Sequence, residues 1–314
     1  MTMPVVIGID IGTSGARALA MDAAHAVVAQ AAVGFGQSDS TVRDPRRWWS
    51  AISEALIELL KQIRPESVRA IAVDGTSGTV LPVDANGAPL AEPLMYNDAV
   101  DDKSLPARIG KLAPAESAAH GASSGLAKAL TFAALPGVHK VLHQADWVPG
   151  QFSGRFDLTD DNNALKTGYD PVSRTWPAWI AGTSLPMSLL PDVKEPGEPL
   201  GRITSAAARK FGLPGNVLIV AGTTDGCASF LATGATDPGD GVTALGSSLT
   251  LKLLSQAPIF APQYGIYSHR IGDVWLAGGA SNTGGRVLAQ FFTAEQLKDL
   301  STRIDPGNST GLDY

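Results

Sequence analysis

The chain opens on an apolar run, Val5-Val6-Ile7-Gly8-Ile9, that ends in Asp10 and the small residues Gly12-Thr13-Ser14-Gly15. Such a run closed by small residues predicts a buried strand and a tight turn. Further strands over 16–21 and 26–32, separated by Asp22-Ala23-Ala24-His25, complete a predicted β-meander. Asp44-Pro45 then reads as a helix N-cap with proline in the first turn. Trp48, Trp49, Ile52, Leu56, Leu59, Leu60 and Ile63 follow at helical spacing up to Pro65.

The same grammar returns downstream. Residues 68–73 form an apolar run that ends in Asp74 and Gly75-Thr76-Ser77-Gly78, and a strand is expected to resume over 79–83. A looser copy covers 217–226, with Asp225 after Gly222-Thr223-Thr224, and a fourth strand and turn covers 242–250 around Gly246-Ser247-Ser248. These echoes predict two strand-rich cores of the α/β class, one on each side of the proline-rich stretch 191–214. The boundary is expected near residue 213, giving domains 1–213 and 214–314.

Composition narrows the function classes. Apolar residues make up 44% and charged residues 17%, too apolar for a disordered chain, and 314 residues suit two domains. A net charge of −6 argues against a broad basic surface, so no nucleic-acid partner is expected. The single cysteine, Cys227, rules out an intramolecular disulfide or a multi-cysteine zinc site. No run approaches the roughly 18 apolar residues of a membrane span, and no leader pattern opens the chain, so a cytoplasmic protein without a membrane partner is expected.

Small residues directly after a strand let backbone N–H groups and hydroxyls approach phosphate oxygens, a role that fits Ser14 and Ser247-Ser248. Asp10 and Asp225, at strand ends, could hold Mg²⁺ or take a proton from an attacking hydroxyl; alternatively each caps a turn. Other chemistries lack their context. There is no Gly-x-x-x-x-Gly-Lys-Ser/Thr run, and the Gly-x-Ser-x-Gly pattern over 121–125 follows no apolar strand. His139 and His143 are spaced for one helix face but have no third ligand nearby, and they read as surface or packing residues. Cys227 reads as a buried thiol.

The string Gly8-Ile9-Asp10-Ile11-Gly12-Thr13-Ser14-Gly15-Ala16-Arg17 resembles the first phosphate motif of the FGGY carbohydrate kinases. Four further segments resemble that family in order: 93–98 with Asn97-Asp98, 144–164 with Asp146, Trp147, Asp160 and Asn163, then 221–226, then 245–248. The resemblance implies an actin-like, ribonuclease H-like ATPase fold in two domains. It implies Asp225 as catalytic base and Asp10 as the residue orienting Mg²⁺ or substrate, both carboxylates being candidates for the metal. Gly12, Thr13 and Ser14 would meet the ATP phosphates on one wall and Gly246, Ser247 and Ser248 on the other. Asp74, Ser77 and Asp98 would contact the sugar. Val100 stands where the family has an arginine, which leaves one polar contact unassigned.

The turn Asp74-Gly75-Thr76-Ser77-Gly78-Thr79 resembles that of the cyanobacterial and plant pentulose kinases. It implies transfer from ATP to a primary hydroxyl of a ketopentose, D-ribulose first and D-xylulose as the alternative. A non-catalytic pentulose-binding protein is the competing class, and an actin-like chaperone is disfavoured. A homodimer is among the assemblies the reading allows. The second domain is expected to be truncated, with only three strands and one helix before Tyr314, and to hold ATP weakly because the family's adenosine-binding segment lies further on.

Overall fold

The computed structural model describes residues 3–36, 42–245, 249–281, 284–305, 307, 308 and 311. Strand β1 (Val5–Gly12) alternates: Val5, Ile7, Ile9 and Ile11 are buried, whereas Val6, Gly8 and Asp10 face the open side. The apolar run is therefore buried on one face only, and the period of two sends Asp10 to the other face. β2 (Gly15–Asp22) and β3 (Val27–Gly34) complete the expected antiparallel meander. Gly15 is required there. It has a φ of +152°, and a Cβ would lie 2.3 Å from the Val33 carbonyl oxygen.

Helix α1 (Pro45–Leu60) begins where the cap predicted, with the Asp44 carboxylate accepting from the Arg46 amide at 2.8 Å. It lays Trp48, Ile52, Leu56 and Leu59, all fully buried, on the meander. β4 (Val68–Gly75) then pairs parallel to β1. The chain does not turn back along β4 as the repeated turn suggested. β5 (Val80–Val83) pairs instead with β6 (Lys140–His143), because the free edge of β4 is taken by a later strand. Helices α2 (Ser104–Leu112) and α3 (Gly125–Phe132), which lie between β5 and β6, build a second core from Ile109, Leu126, Leu130 and Ile180. Ser124 of the Gly-x-Ser-x-Gly segment is the N-cap of α3, its hydroxyl accepting from the Ala127 amide at 3.2 Å.

Helix α4 (Gln144–Ser153) places Trp147 edge-on to Trp48 and Phe152 edge-on to Trp49, so α1 and α4 share the covered face. Short elements follow: β7 (Leu158–Asp160), α5 (Asp161–Ala164), α6 (Trp179–Gly182), β8 (Asp192–Lys194), β9 (Pro199–Arg202) and α7 (Ser205–Phe211). β10 (Leu218–Val220) pairs parallel with β4 and completes a six-stranded sheet in the order β3-β2-β1-β4-β10-β9. The first sheet thus extends to Val220, past the expected division at 213.

Helix α8 (Asp225–Leu231) leads into an antiparallel sheet of β11 (Gly241–Leu245), β12 (Leu249–Ser255), β13 (Tyr267–Ile271) and β14 (Val274–Ser281). Its order is β11-β12-β14-β13. Cys227, Phe230, Leu254 and Leu276 form its small core, so Cys227 is the buried thiol expected. α9 (Gly285–Leu288) and α10 (Ala294–Thr302) follow. The part after residue 213 is therefore richer than expected: its described residues include five strands and three helices rather than three and one. No helix among the described residues is long and apolar enough to cross a membrane.

Candidate active site

Adjacent parallel strands deliver acids to one place. Asp10 and Asp74 are partners in the β1–β4 register, and Thr224, which bridges Gly75, immediately precedes Asp225 at the start of α8. The carboxyl ends of parallel strands open onto the crevice where α/β sheets take ligands. Close approach is secured by Gly222, where a Cβ would lie 1.8 Å from the Val73 carbonyl oxygen. Asp10, Asp74 and Asp225 line a cleft of about 960 Å³ together with Ser77, Tyr96 and the Gly12-Thr13-Ser14 turn.

The three carboxylates sit in different fields. The Arg17 Nη1 donates to Asp10 at 2.6 Å, and Nη2 reaches the Ser14 hydroxyl at 3.4 Å. Asp74 is pushed up to about 8, chiefly by burial, then by the charges of Asp10 and Asp225 and a hydrogen bond shared with Asp10. Asp225 accepts from the amides of Gly226, at 2.7 Å, and Ser77. Burial nevertheless raises it above the usual carboxylate range. The Ser77 hydroxyl is buried and has no hydrogen-bond partner among the described residues.

The turn carrying these groups is braced from behind. The Thr76 hydroxyl lies 2.6 Å from that of Thr79 and donates to the Gln144 side chain at 2.8 Å, while the Tyr96 amide donates to Thr79 at 3.0 Å. Lys128, with no solvent exposure, donates to the carbonyls of Gly78, Met95 and Tyr96 at 2.8, 2.7 and 3.3 Å. Burial lowers the Lys128 ammonium to about 8.

Asp98 is the predicted sugar contact that lies apart from this group. Both its oxygens accept from Arg43, at 2.6 and 2.9 Å, one also accepts from the Met95 amide, and it does not line the cleft. The Arg43 hydrogen bond holds Asp98 below its ordinary value. Tyr96, two residues earlier, occupies the rim instead. Val100 is buried in the second core, and Arg43 supplies the guanidinium that bonds Asp98. Gly246, Ser247 and Ser248 lie outside the described residues; β11 and β12 pair up to Leu245 and Leu249 on either side of them. His143 is buried and lies 3.0 Å from the Thr167 hydroxyl, which makes it a packing residue, while His139 is exposed.

Arg17 had a readable signal that was missed. A turn on Thr13 and Ser14 pairs Gly12 with Gly15 and therefore Asp10 with Arg17. Lys128 had none, because it reaches its carbonyls from 32 to 50 residues away in the chain.

Residues 5–100 match the N-terminal domain of the FGGY family of carbohydrate kinases. The xylulose kinase of Streptomyces coelicolor is 30% identical over 282 residues, covering 81% of this chain and 55% of that protein. The chain belongs to the FGGY carbohydrate kinases. Its fold is the mixed α/β fold of that family: the xylulose kinase of Lactobacillus acidophilus superposes with a TM-score of 0.82 at 19% identity, over 97% of this chain and 67% of that one. The xylulose kinase of Rhodospirillum rubrum gives 0.80 at 25% identity, over 96% and 68%. The FGGY chain thus spans little more than half the length of the curated relatives it matches.

Proposed function

We propose that this FGGY chain carries the sugar-binding and phosphoryl-transfer centre of a ketopentose kinase that uses ATP. The observation that carries the reading is the meeting of Asp10, Asp74 and Asp225 in one cleft with the Gly12-Thr13-Ser14 turn. Phosphoryl transfer passes through a loose transition state, so alignment and charge neutralisation matter more than a strong base. Asp225 accepts the proton of the primary hydroxyl, and the amides of Ser77 and Gly226 hold its carboxylate in place. Asp74, which carries a proton at neutral pH, can donate to a sugar oxygen. The buried Ser77 hydroxyl is available to a second one. Gly12, Ser14 and Arg17 offer the triphosphate backbone amides and a guanidinium.

Mg²⁺ fits this donor set, since the ion takes one or two carboxylates together with substrate phosphates and water, and Asp10 and Asp225 both border the cleft. When bound it would neutralise charge on the phosphates.

The Asp74–Thr79 turn supports D-ribulose as the sugar, and the names of the relatives support D-xylulose as the second reading. A coupled ADP-release assay over D-ribulose, D-xylulose, glycerol and hexoses tests this. Turnover with a pentulose well above glycerol is expected; glycerol outperforming every pentulose would contradict it. Pentulose binding without ADP release would favour a binding protein.

A further inference from the structure

Beside Asp225 the cleft opens into a smaller recess of about 310 Å³, lined by Ser77, Lys166, Asp225, Lys252, Tyr267 and His269. The two lysines arrive from different parts of the molecule. Lys166 follows α5, and Lys252 comes from β12 of the second sheet. Among the described residues Lys166 Nζ donates to the Tyr267 hydroxyl and Lys252 Nζ to the Gly226 carbonyl, and neither is ion-paired. Asp225, whose carboxylate takes the amides of Gly226 and Ser77, lies close enough to favour both ammonium groups without forming an ion pair with either among the described residues. Two part-buried ammonium groups thus face one carboxylate, an arrangement that costs desolvation unless an anion completes it.

Two neutral groups are also waiting. The Ser77 hydroxyl and His269 Nδ1 are buried, line the same recess and have no hydrogen-bond partner among the described residues. Unsatisfied buried polar atoms of this kind call for a ligand with oxygens. Burial, then the charges of Lys166 and Lys252, keeps the His269 ring neutral, so it can serve as a single donor or acceptor.

We propose that Lys166, Lys252 and His269 form a phosphate-holding recess, next to the sugar-facing Ser77 hydroxyl, that takes the oxygens of the phosphoryl group as it passes to the sugar. The inference rests on the kinase reading above and adds residues to it. In the step, a bond forms between the sugar hydroxyl oxygen and the γ-phosphorus. The bond from that phosphorus to the β,γ-bridging oxygen breaks, its electron pair leaving with ADP. The hydroxyl proton goes to Asp225, and the lysines offset charge on the transferred oxygens at either end.

Inorganic phosphate is the probe. Its binding to the whole chain, followed by isothermal titration, is expected to be saturable. It should weaken about tenfold or more in Lys252→Gln, the loss expected for one charge-assisted hydrogen bond, and stay near wild type in Lys252→Arg. Lys166→Gln should repeat the loss, and a thermal melt establishes that each variant is folded. Ketopentose affinity should not change. Phosphate affinity equal in wild type and a folded Lys252→Gln or Lys166→Gln variant, or no saturable phosphate binding at all, would overturn the recess. A lysine-dependent phosphate site in a chain that releases no ADP would uphold the recess and sink the kinase reading; ADP release indifferent to both lysines would do the reverse.

Discussion

Asp74 stands beside Asp10 in the β1–β4 register and shares a hydrogen bond with it, so one proton serves two carboxyl groups at the floor of the cleft. Asp74 keeps the proton, with its pKa near 8, while Arg17 pairs with the neighbouring Asp10. The third acid, Asp225, is held separately by two backbone amides. Three acids of the same kind, two on adjacent strands and one at a helix start, are thereby given different tasks by their surroundings.

The proton on Asp74 makes stability depend on pH. Its folded pKa, about 8, lies above the unfolded value near 3.8, so the folded state keeps a proton that the unfolded chain releases. The resulting penalty is absent below pH 4, grows between pH 4 and 8, and is complete above 8. In Asp74→Asn the side chain stays neutral throughout. The variant should therefore gain stability relative to wild type across that window, by an amount on the order of a few kcal/mol. Urea unfolding of both proteins between pH 5 and 9 checks this; parallel pH curves would contradict it.

Lys128 ties the Gly78 turn to the Met95–Tyr96 loop through three carbonyls. Lys128→Met preserves bulk but strands those carbonyls, and a loss of about 3 kcal/mol is expected. Denaturant unfolding measures the stability. Because Ser77 and Tyr96 border the cleft on the two segments that Lys128 joins, KM for the sugar should rise more than kcat falls.

Gly222→Ala forces the loop before Asp225 away from β4, since the added methyl would overlap the Val73 carbonyl. The expected cost is about 1–3 kcal/mol of stability, with a larger fractional loss of turnover, because Asp225 moves with the loop. Normal turnover in this variant would show that the close contact does not position Asp225.

Local elements were legible because their signals are local. The Asp44-Pro45 cap fixed the start of α1, and the acids followed by small residues marked the strand ends that converge. Topology was less legible, since sequence gives no sign that β10 would occupy the edge of β4 and send β5 elsewhere. The partner of Asp98 was not legible, because a motif records residue types and not contacts; Arg43, 55 positions away, engages it. Lys166 and Lys252 stand at no recognisable motif, and only folding brings them to the same recess.

Asp225→Asn tests the central claim most directly, with turnover and ketopentose affinity measured on the same preparation. Amide for carboxylate keeps the shape and removes the base. The account predicts a fall in turnover on the order of 10²-fold or more, with sugar affinity changed far less. Turnover near wild type in a folded Asp225→Asn protein would contradict it and move the base to Asp10.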